Sequence, residues 1–289
     1  MHPAPSIIVF TVLSGLGFGM LTFLGFNTDA PTGWAAFWFF LIAFALSVGG
    51  LVSSTFHLGH PERAVKAFSQ WRSSWLSREG VLAVASLVVM GIYAFALVFF
   101  GAQISILGFL GGVLSLATVF ATSMIYAQMK TVPRWNHWSA PVMFLGFAIV
   151  GGALLTGKVG WIIWLLPILG IVQFIGWMDQ DKREATAASS IATATGLGRL
   201  GQVRAFEAPH TGENYLTKEM VFRVGRKHLD KLKALSIFLF ALLPVVLLLL
   251  PFNHFLALIA VVSHLAGVLV QRWVFFAEAK HVVSHYYGR

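Results

Sequence analysis

Two ionisable side chains flank the densest polar stretch of an otherwise apolar chain. His57 ends one apolar run, and Glu79 begins the next. Between them, in HLGHPERAVKAFSQWRSSWLSRE (57–79), stand Arg63, Lys66, Arg72, Arg78, Trp71 and Trp75. An imidazole can donate a hydrogen bond and titrates near neutral pH. A carboxyl drawn partly out of water can carry and release a proton in the same range. Together they suit a ligand with two carbonyl oxygens that takes up protons as electrons reach it, which describes a quinone. Arg63, Arg72 or Arg78 would stabilise negative charge on such a head group, and each is equally suited to a lipid phosphate. Trp71 and Trp75 lie four apart, the spacing of one face of an amphipathic turn. Plainer roles exist as well. Glu79 in a first helical turn, with Ser77 as its cap, would complement the helix dipole, and His57 would face the interface.

Few other groups compete. His264 lies midway along the last apolar run and Arg272 two turns later. Ionisable residues at membrane depth are costly and default to functional hypotheses. A transmembrane haem needs paired axial ligands at one depth; His57, His254 and His264 fall at three different depths, so no haem is expected and no metal site is assigned. His264 reads instead as an interhelical hydrogen-bonding group. Cysteine is absent, so iron–sulfur clusters held by thiolates belong in another subunit. A stand-alone transporter would show broken helices in matching halves. Gly151-Gly152, Pro167 and Pro244 interrupt only the second half of the chain.

The elements that must position these groups are legible from composition. Hydrophobic residues make up 57% of the 289 and charged residues 11%, which points to lipid as the main solvent. Eight apolar runs, at 5–26, 34–56, 79–100, 104–128, 140–156, 161–178, 234–250 and 255–276, are each of spanning length. Backbone groups in hydrocarbon must pair within the segment, so helices are expected. The fold class is all-α, a polytopic membrane protein of eight transmembrane helices. MHPAPS lacks a basic leader and the first run is long enough to span, so no cleaved signal is expected. Of the 20 Lys and Arg, only Lys158 falls on the short odd-numbered loops. The positive-inside bias then puts both termini and the 57–79 hairpin in the cytoplasm. The net charge of +9 reads as this bias and attraction to anionic lipid, with no nucleic-acid partner. Residues 1–289 form one integral membrane domain. Its one sizeable extramembrane segment, 179–233, is a candidate docking surface for a cytoplasmic partner. Trp34, Trp38, Trp135, Trp138, Trp161, Trp164 and Trp177, with Trp71 and Trp75, fall near expected interfaces and read as an aromatic belt.

HLGHPERA followed by SSWLSRE, with TVPRW (131–135) and QRWVFF (271–276) in the same order, resembles the membrane anchor subunit of dimethyl sulfoxide reductase-type complexes, the DmsC-like family. The resemblance runs over most of the chain. It implies a haem-free anchor that exchanges electrons with ubiquinone or menaquinone. Molybdopterin would lie in a catalytic partner and the clusters in an iron–sulfur partner subunit. It also implies that His57 and Glu79 are the quinone-site residues. The long loop, with APHTGENYLTKEM, is similar to that of the anchor in cytoplasm-facing sulfite dehydrogenases, and the charge asymmetry fits that branch. The expectation is therefore sulfite oxidation coupled to quinone reduction at the inner membrane, with catalytic partners on the cytoplasmic side. The alternative is an anchor drawing electrons from quinol for a dimethyl sulfoxide reductase.

Overall fold

The computed structural model describes residues 1–56, 60–186, 190–207, 210–212, 214–220 and 228–287. Helices dominate them, and no strand occurs among the described residues. The long helices are α1 (Pro5–Phe26), α2 (Gly33–Thr55), α3 (Trp75–Phe100), α4 (Ser105–Ala127), α5 (Ser139–Leu155), α6 (Val159–Ala185), α7 (Leu229–Leu249) and α8 (His254–Glu278). Seven are long and apolar enough to cross a membrane; α5, at 17 residues, is shorter.

The first helix is the axis of the bundle. It buries 72% of its most apolar stretch, against 22–44% for the other six long spans. In lipid an apolar face gains little by burial, so the close approach of small residues, rather than apolarity, holds α1 at the centre. It packs against α2, α4, α5 and α8, and consecutive helices pack side by side around it. Small residues permit the closest crossings. A Cβ on Gly19 would collide with the Ala148 carbonyl of α5, and one on Gly152 would collide with the Gly19 carbonyl of α1. Backbone contact of this kind supplies dispersion where apolar burial supplies no driving force between helices. Gly151 and Gly152 therefore do not break α5. They let α1 approach it. Likewise α6 runs unbroken through Pro167.

Only Pro244 leaves a mark. Without an N–H it cannot donate to the carbonyl of Phe240, one turn back. The chain answers with a π turn over Phe238–Leu242, and α8 supplies the missing donors. His264 Nδ1 bonds the Phe240 carbonyl at 2.8 Å, and the Ser263 hydroxyl donates to Leu239 O at 2.7 Å. His264 is thus a structural interhelical clasp.

Helix limits differ from the apolar runs where polar residues continue the helix. The third helix begins four residues earlier than its run, and α6 continues through Asp179, Asp181 and Glu184 to Ala185. Residues 179–185, expected in the long loop, are instead helical. Of the remainder of that loop, Ile191–Thr195 forms a short helix carrying a Ser190 capping box, and Leu216–Met220 a single π turn. Tyr286 near the C-terminus donates to Ala194 O at 3.0 Å, and the His2 backbone N–H donates to Glu219 O at 2.7 Å. The loop and both chain ends therefore gather at one end of the bundle.

Candidate functional site

Ser74, in an extended conformation, stands at the N-cap position of α3, and the helix opens on Trp75. Glu79 consequently sits in the second turn. It is not the first-turn acid capped by Ser77 that its run suggested. It is 4% exposed and reaches Thr122 of α4. The Thr122 hydroxyl lies within hydrogen-bond reach of both Glu79 Oε1 and the Thr118 carbonyl, the latter at 3.1 Å. A hydroxyl has one proton and two lone pairs. When Glu79 is ionised, Thr122 donates to it. When Glu79 is protonated, it can donate to Thr122, which turns its own proton to Thr118. Both charge states keep their hydrogen bonds, as a proton relay requires.

The α3–α4 pair is held by a buried Ser86–Ser115 hydrogen bond of 2.8 Å and by Trp75 packing edge-on against Phe120. One turn beyond Thr122, Tyr126 is buried among Trp135, Phe144, Phe275 and Phe276, within electrostatic reach of both Glu79 and Arg272. Arg272 of α8 is 2% exposed, with its guanidinium 3.5 Å above the Phe144 ring. Its Nε and Nη1 have no hydrogen-bond partner among the described residues. Two internal cavities of about 10 Å³ meet at this side chain. Thr11, Ser14, Gly15 and Thr122 line one, and Ser139, Gln173, Gln180, Gln271 and Glu278 line the other.

The remaining expected site residues separate from this centre. His57 and the side chain of Arg63 lie outside the described residues. Pro61–Gln70 forms a 3₁₀ helix on α3, and Phe68 rests on Gly80, 3.2 Å from where a Cβ would stand. Arg78 ties down the end of this segment. It donates from Nε to Trp71 O at 3.0 Å and from Nη2 to Arg72 O at 2.7 Å, and it lies 4.4 Å over the Trp75 ring. Arg72 and Trp71 are exposed and stack on each other, and Lys66 is exposed. Thus Glu79 is brought to the buried centre, while Arg72, Arg78 and Trp71 form the skin above it.

A second polar cluster was not foreseen from the sequence. Arg134, 5% exposed, bonds Asp181 at 2.5 Å, Glu184 at 2.6 Å and Glu278 at 2.7 Å. Lys233 also reaches Glu278, at 2.6 Å, and Lys280 reaches Glu184, at 2.8 Å. Burial opposes the Arg134 charge, but Glu278, Asp181 and Glu184 outweigh it and hold the guanidinium above its ordinary range. Beside it, His137 bonds Ser139 at 2.8 Å and Asp179 at 3.0 Å. Burial pushes its pKa below the ordinary value, with Asp179 only partly opposing the shift. The available signal was Asp181 and Glu184, three apart at the end of an apolar run. That spacing continues one helix face. Trp135 and Trp177 also leave the expected belt. Both are buried, and Trp135 stacks on Phe275 while its indole N–H donates to Phe275 O at 3.0 Å. Trp34, Trp38, Trp161 and Trp164 are exposed, as a belt requires.

Apolar helices around a buried axis, with one carboxyl and one guanidinium buried near the polar end, define a polytopic helical membrane protein with a buried ionisable site. Residues 1–277 match the family model "DMSO reductase anchor subunit (DmsC)", and the chain belongs to that family. It is 31% identical, over 99% of both chains, to a sulfite dehydrogenase subunit of Allochromatium vinosum. No solved structure matches it. The protein is therefore a membrane anchor subunit of a dimethyl sulfoxide reductase-like or sulfite dehydrogenase complex.

Proposed function

We propose that this anchor is the quinone-reactive subunit of a sulfite-oxidising complex, and that Glu79 is its proton-handling residue. The observation that carries this reading is the buried Glu79–Thr122 pair, whose hydrogen bonding accommodates either charge state. Quinone reduction takes two electrons and two protons to quinol. The electrons come from sulfite oxidised at a molybdopterin subunit, through an iron–sulfur subunit. The protons must be delivered by this chain, which holds the head group out of bulk water.

The internal cavities beside Thr122 and Arg272, about 10 Å³ each, are water-sized. The head group therefore approaches Glu79 from the other side, beneath the Pro61–Gln70 segment. His57 would hydrogen-bond one carbonyl oxygen and hand it one of the two protons, recovering it from cytoplasmic water, while Glu79 passes the other proton to the oxygen it faces and is reprotonated from within the bundle. Arg63 belongs to that segment and Arg72 follows two residues after its end, and their charge attracts an anionic reduced head or lipid phosphate. All eight long helices cross the membrane, α5 with its flanking turns. Both termini, the hairpin and the docking surface of the long loop face the cytoplasm, because of the 20 Lys and Arg only Lys158 falls on the short loops of the opposite side.

Glu79→Gln tests the reading in membranes carrying the whole complex. It should abolish sulfite-to-quinone turnover and leave sulfite oxidation by an artificial acceptor intact. Wild-type quinone reduction in this variant would overturn it. A reporter fused to the C-terminus tests the orientation, and export of the tail would favour the quinol-oxidising reductase alternative instead.

A further inference from the structure

A surface cleft of about 730 Å³ at the polar ends of α4, α5 and α6 has no part in the reading of Glu79. Asp179, Lys182 and Arg183 line it. They stand three and four residues apart on α6, so one helix face carries a carboxylate and, about 5 Å further along the axis, two cations. We infer that this cleft holds the head group of a phosphatidylethanolamine molecule, with Lys182 and Arg183 on its phosphate and Asp179 on its primary ammonium.

The charges in the cleft are unspent. Arg134, Lys233 and Lys280, at the same end of the bundle, are each bonded to a carboxylate. Lys182 and Arg183 are exposed, and neither has a carboxylate partner among the described residues. Arg183 gives only Nη2, to Asn136 Oδ1 at 2.9 Å, and Asn136 is itself tied to the Ala127 carbonyl at 2.6 Å. The guanidinium is thereby fixed in place while Nε and Nη1 stay available. Asp179 is half exposed and engaged through one oxygen. Its Oδ2 accepts from the Trp138 indole at 2.8 Å and pairs with His137 Nε2 at 3.0 Å. Its Oδ1 has no partner among the described residues.

Two cations and one carboxylate suit a zwitterion better than a plain anion. A phosphate takes charge-assisted bonds from Lys and Arg, and a primary ammonium has N–H groups to give to Asp179. A choline head has no N–H to offer, and a glycerol head brings no cation. Ethanolamine holds its ammonium two carbons from the phosphate ester, a reach that suits groups one helical turn apart. Position favours a lipid over a soluble ligand. Trp138, 43% exposed beside the same cleft, is a residue of the interfacial kind. Met124 and Ala127 in the last turn of α4 and Pro141 in the first turn of α5 form the wall on the membrane side, where the glycerol and first acyl carbons would rest. Basic pockets between spanning helices are a recurrent setting for lipid head groups.

Native mass spectrometry of the whole complex, delipidated in detergent, tests this with phosphatidylethanolamine, phosphatidylcholine and phosphatidylglycerol of identical acyl chains. The wild type should bind phosphatidylethanolamine the most tightly of the three. Lys182→Gln combined with Arg183→Gln should weaken that binding roughly tenfold or more. Both side chains are exposed, so folding is spared. Asp179→Asn keeps an oxygen for the Trp138 and His137 bonds and removes the charge. It should leave the phosphate contacts and reverse the preference, so that phosphatidylglycerol binds more tightly than phosphatidylethanolamine. Phosphoethanolamine, which has the head group without chains, should not displace the lipid at equal concentration. Equal wild-type affinity for the three lipids would overturn the proposal, as would phosphatidylethanolamine binding unchanged in the double variant. An unaltered preference in Asp179→Asn would remove the carboxylate from the site and overturn it too. Displacement by phosphoethanolamine would give the cleft to a soluble ligand, and a complex that takes up no phosphatidylethanolamine would give it to a partner subunit; either result overturns the lipid site.

Discussion

Thr122 of α4 and Glu79 of α3 are hydrogen bonded across the helix pair, one turn inside its polar end, and the Thr118 carbonyl offers the same hydroxyl a second partner. Removing the hydroxyl leaves a buried carboxyl without its donor. Thr122→Val keeps the shape, so packing is preserved and the effect is electrostatic. It should cost about 1–3 kcal/mol of stability and lower sulfite-to-quinone turnover, with Thr122→Ser close to wild type. Thermal unfolding in detergent and membrane assays on the three proteins check this. A silent Thr122→Val would show that the pair is incidental.

His264 and Pro244 should be coupled energetically. His264 satisfies a carbonyl that Pro244 orphans. His264→Phe alone should cost about 1–3 kcal/mol. In a Pro244→Ala background the backbone N–H returns, Phe240 regains an intrahelical donor, and the same substitution should cost less. A double-mutant cycle from denaturation midpoints would report coupling of about 1 kcal/mol. Strict additivity would show that the imidazole does not answer the proline.

Sequence patterning reached the helical class and singled out Glu79, which the structure buries, for different reasons. Runs of apolar residues the length of a bilayer are a direct physical constraint, so 5–26 was read to the residue. Where polar residues extend a helix beyond hydrocarbon, hydropathy falls silent, and α3 and α6 were read short at the Trp75 and Ala185 ends. The same blindness moved Asp181 and Glu184 into a loop and hid their meeting with Arg134, which stands 47 and 50 residues away in sequence. Trp135 and Trp177 carried no local mark that separates a core indole from a belt indole. Arg272 was visible as an oddity, but its two cavities come from residues on α1, α4, α5, α6 and α8. No pattern within one segment predicts such a junction.

Arg134 should be the most sensitive charged position outside the spans. It serves three carboxylates on α6 and α8 at once. Arg134→Met leaves partly buried acids short of a counter-charge and should destabilise the anchor by about 3–5 kcal/mol. Arg134→Lys should recover only part, because a single ammonium cannot reproduce the planar fork. The readouts are the folded yield in membranes and the melting temperature in detergent. A melting temperature unchanged by Arg134→Met would place these bonds among exposed pairs of negligible weight.

His137 sets a pH dependence whose sign can be worked out. Burial holds its pKa below the ordinary 6.5 in the folded protein, although Asp179 partly opposes the shift. As pH falls through about 6.5, the unfolded chain takes up a proton before the folded chain does, so acid favours unfolding and stability falls. Above that range both states are neutral here and the residue contributes no slope. His281 is pushed the same way, by burial and by the nearby N-terminal charge, so removing one histidine removes only part of the effect. The expected result is a melting temperature that drops below about pH 6.5 in the wild type and drops less steeply in His137→Gln. A profile in which acid stabilises the wild type relative to His137→Gln would mean that Asp179 outweighs burial, reversing the order of the two effects at this site.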